Sequence, residues 1–444
     1  MAFSASRLAQ SLAAQDPGWR AARHCIAYSG GLDSTVLLHA FAALARESGT
    51  PLRALHVDHG LQPQSREWAK GCADACARLG IDCAVLRLAM DPARGESLEA
   101  AARAARYGAL RAAILDGERL HAAHQADDQF ETVLMQLLRG AGLPGLAAMP
   151  PRAPFGPGWL LRPLLGFTRA ELAAWAQEAG LVWREDPMNA DLRFERAWLR
   201  ARVLPALRER WPAAATTSAR SARHAAEASR LLDEVARDDA ARLLDDGRLS
   251  VAGLAALSPE RQSNVLRWWL KSEGLRAPPA ARIACGLADL LRARDDGAPR
   301  LAWEDGEIRR YRGRLYALAA RPAGAPAVAS ACTDSRWELG AGLGSFRLVE
   351  GTGAGLCARR AARATLRFRA GGESLKPHPG RPRKRLKDLC QEAGIVPWMR
   401  DRLPLVYVGE ELAAVGDLWI DAGFAAGEGS PALMPVWDGR PRLF

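Results

Sequence analysis

The sequence predicts an α/β protein: an N-terminal parallel sheet with flanking helices, a helical and mixed middle domain, and a small α+β C-terminal domain. Short apolar runs alternate with longer amphipathic runs from residue 22 to about residue 150, as strands and helices do when they follow one another. Two adjacent glycines directly follow the first apolar run, and a Pro/Ala/Gly-rich stretch precedes the last quarter of the chain. The length of 444 residues allows about three domains.

Four strands and four helices are predicted within this alternating part. The strands are residues 25–28, 52–57, 83–88 and 120–123, and the helices are residues 34–46, 65–79, 97–115 and 127–138. Strands that alternate with helices at this spacing form a parallel sheet covered by helices on both faces. Ligands of such sheets bind beyond the carboxyl ends of the strands, so we expect the functional residues there.

The rest of the chain divides less clearly. Residues 143–163 are rich in Pro and Gly and are interpreted as a connector, and residues 168–179 are interpreted as a helix in which Thr168 and Glu171 form a capping box. A polar segment, a long helix over residues 213–244, a mixed region up to residue 320 and a linker at 321–329 follow. The predicted domains are residues 1–212, 213–325 and 330–444.

Composition indicates the compartment and the class of partner. The chain has no apolar run long enough to cross a membrane and no signal-peptide pattern, so a cytoplasmic protein without a membrane partner is expected. The net charge is +11, which indicates an acidic partner such as nucleic acid. Residues 359–402 carry thirteen Lys and Arg against four acids, so most of this excess lies near the C-terminus.

The eight cysteines are too dispersed for a disulfide framework, and none forms a C-x-x-C pair. Cys72, Cys76 and Cys83 are close enough along the chain for a metal site. The alternative is that they are small buried residues of a helix and the next strand, and we favour it.

The first chemical motif follows the first strand and opens a helix. It consists of Ser29, Gly30, Gly31, Leu32, Asp33 and Ser34. Glycines let the backbone approach an anion, and the amides of a helix start point at phosphate oxygens. The alternative is a simple Gly-Gly turn capped by Asp33 or Ser34. No lysine follows the glycines, as a Walker A loop would require.

This motif resembles the phosphate loop of the PP-loop ATP pyrophosphatase family, whose members cleave ATP between the α- and β-phosphates and transfer AMP to a substrate oxygen. The resemblance implies that ATP is bound by the six residues of the loop. It also implies that Asp33 is catalytic and helps to position Mg²⁺, a hard cation that prefers carboxylate and phosphate oxygens.

Three further motifs resemble the tRNA(Ile)-lysidine synthetase family. They are His56-Val57-Asp58-His59-Gly60-Leu61 after the second strand, Ala101 to Tyr107 on a helix, and His121 to Thr132 after the fourth strand. The resemblance implies that His56 and Asp58 bind ATP and that Arg106, His124 and Gln129 bind lysine or tRNA.

The third of these motifs supplies three carboxylates, those of Asp127, Asp128 and Glu131. They are predicted to be catalytic, since carboxylates can bind Mg²⁺, bind the ammonium group of lysine, or act as a base. Asp128 and Glu131 are three residues apart and therefore share one helix face. The alternative is that these acids only complement the helix dipole and that His124 is a packing residue.

The polar segment that starts at Arg184 resembles a fourth motif of the same family. Asp186, Asn189, Asp191, Arg196 and Arg200 match it, whereas Met188 stands in place of a serine and Ala197 in place of an asparagine. Arg196 and Arg200 are predicted to bind substrate. The alternative is a solvated, charged loop.

The basic C-terminal region also resembles this family. Lys384, Arg385 and Lys387 are predicted to lie at the start of a short helix and to bind tRNA phosphates. Three of only five lysines in the chain lie within twelve residues there. Trp398 could stack on a base or pack beneath the helix, and packing is favoured.

The resemblance implies a complete reaction. L-Lysine is ligated to the wobble cytidine of tRNA(Ile) with anticodon CAU, through an adenylated cytidine, so that the tRNA reads AUA as isoleucine. ATP and Mg²⁺ are the expected cofactors, and either a monomer or a homodimer is compatible with the family. The alternatives are another PP-loop enzyme, such as a tRNA thiolase, or an RNA-binding protein without activity. A thiolase would need spaced cysteine pairs, which this sequence lacks.

Overall fold

The first strand of the chain, His24–Ala27, lies at the centre of a six-stranded sheet in this computed structural model. The structure describes residues 2–60, 64–88, 98–185, 191–294, 297–320, 336–340 and 342–444, with the side chains of 98–100 excepted. The chain forms two compact units, Met1–Val235 and Ala236–Phe444. The predicted three-domain division is finer than these two units and stays a prediction.

The sheet of the first unit has the order β3-β2-β1-β4-β6-β5. Its strands are β1 (His24–Ala27), β2 (Leu52–Asp58), β3 (Asp82–Arg87), β4 (Arg119–His121), β5 (Arg152–Phe155) and β6 (Gly158–Leu161). All neighbours pair in parallel except β5, which pairs antiparallel with β6 at the edge. The predicted N-terminal parallel sheet is therefore confirmed, with one antiparallel edge strand added.

The helices of the first unit cover both faces of this sheet. All helices up to the end of the unit are α1 (Ala5–Gln15), α2 (Leu32–Ser48), α3 (Ser65–Arg78), α4 (Leu98–Ala113), α5 (Ala126–Leu138), α6 (Leu143–Leu146), α7 (Arg169–Glu178), α8 (Glu195–Trp198), α9 (Leu204–Arg210) and α10 (Ala214–Leu243), which continues into the second unit. Adjacent strand residues point to opposite faces: Ile26 packs with α1, α2, α3 and α7, whereas Cys25 packs with α4.

Local sequence signals position two of these helices accurately. Thr168 caps α7, its hydroxyl accepting from the amide of Glu171 while the Glu171 carboxylate accepts from the amide of Thr168. This is the predicted capping box. The predicted long helix over residues 213–244 is confirmed as α10.

The prediction of a connector at residues 143–163 was wrong. This segment contains α6 and the hairpin of β5 and β6, which extends the sheet beyond β4. Pro154 lies in β5, at the edge of the sheet, where a strand tolerates a residue without an amide hydrogen. The prediction failed because the high Pro and Gly content of this segment is typical of loops, although it contains two strands of four residues each.

The second unit contains the end of α10, followed by α11 (Val251–Ala255), α12 (Pro259–Ser272) and α13 (Ala280–Arg292), which pack on an antiparallel sheet of order β7-β8-β11-β10-β9. The strands are β7 (Leu244–Asp245), β8 (Arg248–Ser250), β9 (Arg300–Trp303), β10 (Gly306–Tyr311) and β11 (Arg314–Ala319). Their common core includes the buried Trp269 and Leu287.

Three small antiparallel sheets and three short helices complete the chain. The strands are β12 (Arg336–Glu338), β13 (Ser345–Thr352), β14 (Leu356–Cys357), β15 (Ala364–Arg367), β16 (Ser374–Leu375), β17 (Lys384–Arg385), β18 (Leu405–Val408), β19 (Glu411–Val415), β20 (Trp419–Ile420) and β21 (Pro431–Asp438). The helices are α14 (Ala358–Ala361), α15 (Leu386–Glu392) and α16 (Pro397–Arg400). The predicted mixed and α+β regions are therefore confirmed as a fold class.

The structure corrects the position of the basic C-terminal residues. Lys384 and Arg385 form β17, and α15 begins only at Leu386, so Lys387 alone lies in the helix. The favoured packing of Trp398 is confirmed: its ring contacts the ring of Tyr316 edge-on at 5.1 Å and lies against the C-terminal core. In the described part of the chain, no helix is both long and apolar enough to span a membrane.

Candidate active site at the carboxyl ends of the parallel strands

The loop of residues 29–34 after β1, which we call the phosphate loop, has a conformation that requires glycine at position 30. Gly30 has φ +79°, and a Cβ atom there would lie 2.9 Å from the Sγ atom of Cys72 on α3. The carbonyl oxygen of Gly30 accepts a hydrogen bond from the amide of Arg184 at 3.0 Å. The loop is therefore fixed on one side by a helix and on the other by the chain that follows α7.

The serines of the loop bond to one another. The Ser34 hydroxyl donates to the carbonyl oxygen of Gly31 at 3.0 Å and lies 3.0 Å from the Ser29 hydroxyl, while the amide of Ser29 donates to Ser34 Oγ at 3.3 Å. The first amides of α2 have no acceptor within the helix. A preformed turn at the start of a 17-residue helix is the arrangement that binds phosphate.

Asp33 combines burial with an unsatisfied oxygen. Its Oδ2 atom accepts from Arg169 Nη1 at 3.2 Å, whereas its Oδ1 atom is buried and has no hydrogen-bond partner among the described residues. Burial raises the pKa of Asp33 from 3.8 to about 6, against the opposing effect of Arg169. A cation at Oδ1 would satisfy this oxygen, so the residue fits a magnesium ligand.

His56 and Asp58 lie at the end of the neighbouring strand β2 and are both buried. His56 Nδ1 is 2.9 Å from the carbonyl oxygen of Tyr28, the residue before the loop. Burial lowers the pKa of His56, so the ring is neutral, with Nδ1 as the donor. Asp58 Oδ1 accepts from the amide of Gly60 at 2.9 Å. In the structure both residues hold the backbone around the loop.

The three predicted carboxylates project from the first two turns of α5, and each has a different environment. Asp128 accepts from the amide of Gln125 at 3.1 Å and so completes a capping box. Asp127 Oδ2 accepts from the amide of Arg169 at 2.7 Å, and its Oδ1 accepts from Arg208. The predicted alternative was that these acids only complement the helix dipole. Asp127 and Asp128 do lie in the first turn of α5, but both also make the specific contacts given above.

Glu131 is the most buried of the three, with 1% of its side chain exposed. Arg200 binds it through two bonds, from Nε to Oε1 at 2.7 Å and from Nη2 to Oε2 at 2.9 Å. Burial raises the pKa of Glu131, and Arg200 opposes this effect. Arg196 Nη2 donates to the hydroxyl of Thr132 at 2.7 Å. Both predicted arginines therefore contact α5, which we call the acidic helix.

Arg169 and Arg208 were not predicted from the sequence. The first residue of α7, Arg169, joins the two halves of the site, since its side chain binds Asp33 and its amide binds Asp127. Arg208 reaches Asp127 from α9, 81 residues along the chain. Arg169 lies within the capping box of Thr168 and Glu171, which predicts a helix start but no contact with Asp33, and Arg208 belongs to no recognisable motif. Only the fold therefore identifies the two contacts.

A group of cations lies beside the acidic helix. Burial lowers the pKa of His124 well below its ordinary value, and Arg162, Arg103, Arg106 and Arg196 lower it further. Among the described residues, no carboxylate forms an ion pair with Arg103, Arg106 or Arg162. His124 Nδ1 and Arg162 Nε are buried there without a hydrogen-bond partner. These groups together could bind an anion.

Gln129 lies away from the open part of the site. Its Nε2 atom donates to the carbonyl oxygen of Met149 at 3.1 Å, and its Oε1 atom accepts from the Met149 amide at 3.0 Å. Since both ends of this buried amide are used, Gln129 braces the segment after α6. Its predicted role as a substrate contact stays a prediction.

Other predicted residues lie on the surface of the first unit, in the second unit, or outside the described residues. Asp186, Met188 and Asn189 lie outside the described residues. Asp191 binds Arg193 at 2.6 Å on the surface. Lys384, Arg385 and Lys387 belong to the second unit, where Arg385 and Lys387 are exposed and Lys384 Nζ binds Glu392 at 2.8 Å.

The cysteines near the loop pack as small side chains. Cys72 and Cys76 are buried on α3, as favoured from the sequence, and Cys83 is half-buried in β3. Burial raises the pKa of Cys72 to about 12. Among the described residues, no group of three or more His, Cys, Asp or Glu side chains is arranged to hold a metal ion.

Comparison with known proteins agrees with this geometry. Family models match three parts of the chain: a PP-loop domain over residues 4–207, a TilS substrate binding domain over 249–316 and a TilS substrate C-terminal domain over 364–437. The tRNA(Ile)-lysidine synthase of Alkalilimnicola ehrlichii is 46% identical, covering 96% of this chain and 96% of the relative. That of Methylococcus capsulatus is 42% identical, covering 93% and 95%.

Among solved structures, the U34-tRNA thiolase NcsA from Methanococcus maripaludis aligns with a TM-score of 0.43 and 16% identity. It covers 50% of this chain and 76% of the thiolase. A similarity of this size supports no conclusion about activity. The relatives that match nearly the whole chain confirm the family resemblance that the motifs predicted.

Proposed function

Because this chain belongs to the tRNA(Ile)-lysidine synthase family, we propose that it uses ATP to join L-lysine to the wobble cytidine of tRNA(Ile) with anticodon CAU. The observation that carries the proposal is the continuity of the site. Asp33 of the phosphate loop, Asp127 of the acidic helix and the arginines between them form one connected group. Nucleotide and amino acid can therefore react in one place.

The reaction has two steps. The carbon-2 oxygen of the cytidine attacks the α-phosphorus of ATP, and pyrophosphate leaves. The ε-amine of lysine then attacks carbon 2 and displaces AMP, which forms lysidine. The products are lysidine-tRNA, AMP and pyrophosphate, and the modified tRNA reads AUA as isoleucine.

The phosphate loop has the geometry for the first step. Ser29, Ser34 and the first amides of α2 supply donors to the pyrophosphate portion of ATP. Asp33 would hold Mg²⁺, and the ion would supply positive charge to neutralise the leaving pyrophosphate. The unpartnered Oδ1 atom of Asp33 supports this assignment. His56 and Asp58 support the loop and the next strand end.

The acidic helix and the adjacent cations have complementary roles in the second step. Lysine carries a carboxylate and two ammonium groups, so its site needs charges of both signs. Arg106, His124 and Arg196 bind the carboxylate, while Asp127, Asp128 and Glu131 bind the ammonium groups and accept the proton lost from the ε-amine. Arg200 keeps Glu131 in place.

The exposed basic residues of the second unit complete the proposal. Lys384, Arg385 and Lys387 bind tRNA phosphates, which carry no sequence information but hold the RNA in register. We assign residues 1–212 to catalysis and residues 213–325 and 330–444 to tRNA binding. The protein acts in the cytoplasm, where its tRNA substrate is found.

The test is incorporation of radiolabelled lysine into unmodified tRNA(Ile) with anticodon CAU, in the presence of ATP and Mg²⁺. The wild type is expected to incorporate label, and Asp33→Ala to incorporate none. Asp74→Ala, which removes an exposed aspartate of α3, is the matched control and should be fully active. A folded wild-type protein that binds the tRNA but incorporates no lysine would disprove the assignment.

A further inference from the structure

Residues 195–210, whose arginines contact the acidic helix, also have a surface on the side that faces away from this helix. Residues 195–210 form one helical run made of α8, a π-helical turn over Leu199–Val203, and α9. On its inner side, Arg196, Arg200 and Arg208 contact α5. The outer side contains Trp198, Arg202 and Arg210, and Trp211 follows directly; these four exposed residues are called the tryptophan surface.

The two tryptophans are unusual within this chain. Trp198 is 48% exposed and Trp211 is 58% exposed, whereas the other twelve tryptophans of the chain are buried or half-buried. Exposed leucines are common on proteins, but a large aromatic ring left in water is informative. Trp198 lies on the helical run that carries the arginines of the site, and Trp211 directly follows this run. Two such exposed rings indicate a surface that binds a partner.

The charges of this surface indicate the class of partner. Among the described residues, no carboxylate forms an ion pair with Arg202 or Arg210. The guanidinium of Arg210 lies over the ring of Trp211, 5.8 Å from its centroid. Proteins that bind single-stranded nucleic acid combine aromatic rings, on which bases stack, with arginines that reach the phosphates. The surface therefore favours RNA over an apolar peptide.

The π-helical turn explains how one segment can serve two sides. Arg196 and Arg208 are twelve residues apart, which would place them about 120° apart around a regular α-helix. The wider turn between them rotates Arg208 back toward the face of Arg196 and Arg200, so all three reach α5. Such turns are rare and frequently lie at functional sites. Trp198 and Arg202 remain on the outside.

We propose that the unpaired bases of the tRNA anticodon loop stack on Trp198 and Trp211, with Arg202 and Arg210 binding the adjacent phosphates. This inference rests on the proposed function and adds to it the surface that receives the loop. The wobble cytidine must leave its stack to reach the phosphate loop, and its neighbours need a replacement for the stacking they lose. Arg196, Arg200 and Arg208 belong to the same helical run. RNA bound to the tryptophan surface therefore also restricts the motion of the carboxylates that these arginines contact.

The test uses a fluorescently labelled RNA stem-loop with a CAU loop, and measures binding to the full-length protein by anisotropy without ATP or lysine. Trp198→Ala and Trp211→Ala are each expected to weaken binding roughly tenfold, the size of one lost base–aromatic stack. Trp198→Phe and Trp211→Phe, which keep a ring, should retain most of the affinity. Leu115→Ala removes another exposed apolar side chain of the first unit and should bind as the wild type does.

Several results would overturn the proposal. One is unchanged affinity in the Trp198→Ala/Trp211→Ala double variant, provided that circular dichroism shows it to be folded. Another is an equal loss in the Phe variants, which would exclude stacking. A third is a lower molar mass for the double variant than for the wild type in light scattering, which would show that the tryptophan surface is a contact between copies of the chain. A wild-type protein that binds the stem-loop through the two tryptophans but incorporates no lysine would contradict only the proposed function, since the anisotropy assay needs no catalysis.

Discussion

The acidic helix of the first unit and the basic β17–α15 region of the second unit both use ion pairs, but they expose them very differently. Glu131, paired with Arg200, has 1% of its side chain exposed. In the second unit, Lys384 and its partner Glu392 are 33% and 59% exposed, and Arg367 and Glu410 are 43% and 85% exposed. Buried charges are costly to maintain, whereas exposed pairs contribute little to stability.

Because of this difference, the buried carboxylates keep their partners, whereas the exposed basic residues can exchange theirs for a ligand. The buried carboxylates cannot relax toward water, so their positions and protonation are set by the fold before any substrate arrives, as catalysis requires. The exposed basic residues have exposed partners, and solvent and salt screen the attraction between them. An RNA phosphate can replace such a partner at low cost. Four experiments test this contrast.

The largest effect is expected for Glu131→Gln. The change leaves the guanidinium of Arg200, which is 39% exposed, beside a neutral amide. We therefore expect lysine incorporation to fall by about 100-fold or more and the free energy of unfolding to fall by about 2 kcal/mol, between the costs of a buried and an exposed pair. Urea denaturation measures the second quantity. The matched control is Glu410→Gln, which breaks an exposed pair and should cost less than about 1 kcal/mol. Equal losses in both variants would contradict the contrast.

Asp33→Asn should separate stability from activity. The folded-state pKa of Asp33 is about 6 against an ordinary value of 3.8, so the folded protein binds the proton more tightly than the unfolded chain. Its contribution to stability therefore decreases as pH rises from 3.8 to 6 and stays unfavourable above 6. Asparagine lacks this penalty, so the variant should be inactive yet more stable at pH 8, by about 1 to 3 kcal/mol. Thermal unfolding at pH 8 that shows a less stable variant would contradict this account.

Replacing Lys384, Arg385 and Lys387 together with glutamine should weaken tRNA binding about tenfold at low salt, with unchanged stability. The slope of log affinity against log salt should become shallower by about two to three, since each lost phosphate contact removes just under one unit. Titrations at several salt concentrations measure both quantities. A slope equal to that of the wild type would show that these side chains do not contact phosphate.

The smallest effect is expected for Arg169→Met. Arg169 opposes the rise in the pKa of Asp33, so its removal should raise that pKa further. If ionised Asp33 is needed for turnover, the acid limb of the kcat/KM profile should move to higher pH, with activity several-fold lower at pH 6 and nearly normal at pH 8. Arg169→Lys should restore most of the wild-type profile. A uniform loss at all pH values would indicate a structural role instead.

Much of the first unit was predictable because its signals are local. The alternation of β1 to β4 with α2 to α5, and the capping box of Thr168, depend on residues close together in sequence. The phosphate loop was predictable because its glycine requirement is a backbone property. The hairpin of β5 and β6 was missed because its two four-residue strands show no clear period.

The missed part of the site depends on contacts between distant segments. Arg169 reaches Asp33 across 136 residues, and Arg208 reaches Asp127 across 81. In a chain with 61 Lys and Arg, nothing local distinguishes these two from arginines that face solvent. Gln129 shows the opposite case, since a residue within a matching motif bonds to the backbone of Met149, a contact that the motif did not predict.

The contact between Gly30 and Cys72 limits which residues can occupy position 72. Because the sulfur atom already fills the space beside the loop, a longer side chain such as methionine would press on the backbone of the loop. A raised thiol pKa of about 12 keeps Cys72 protonated and slow to oxidise, so the sulfur gains no oxygen atoms that would enlarge it. The shape of the loop proposed to bind ATP therefore depends on the size and redox inertness of a side chain outside the proposed site.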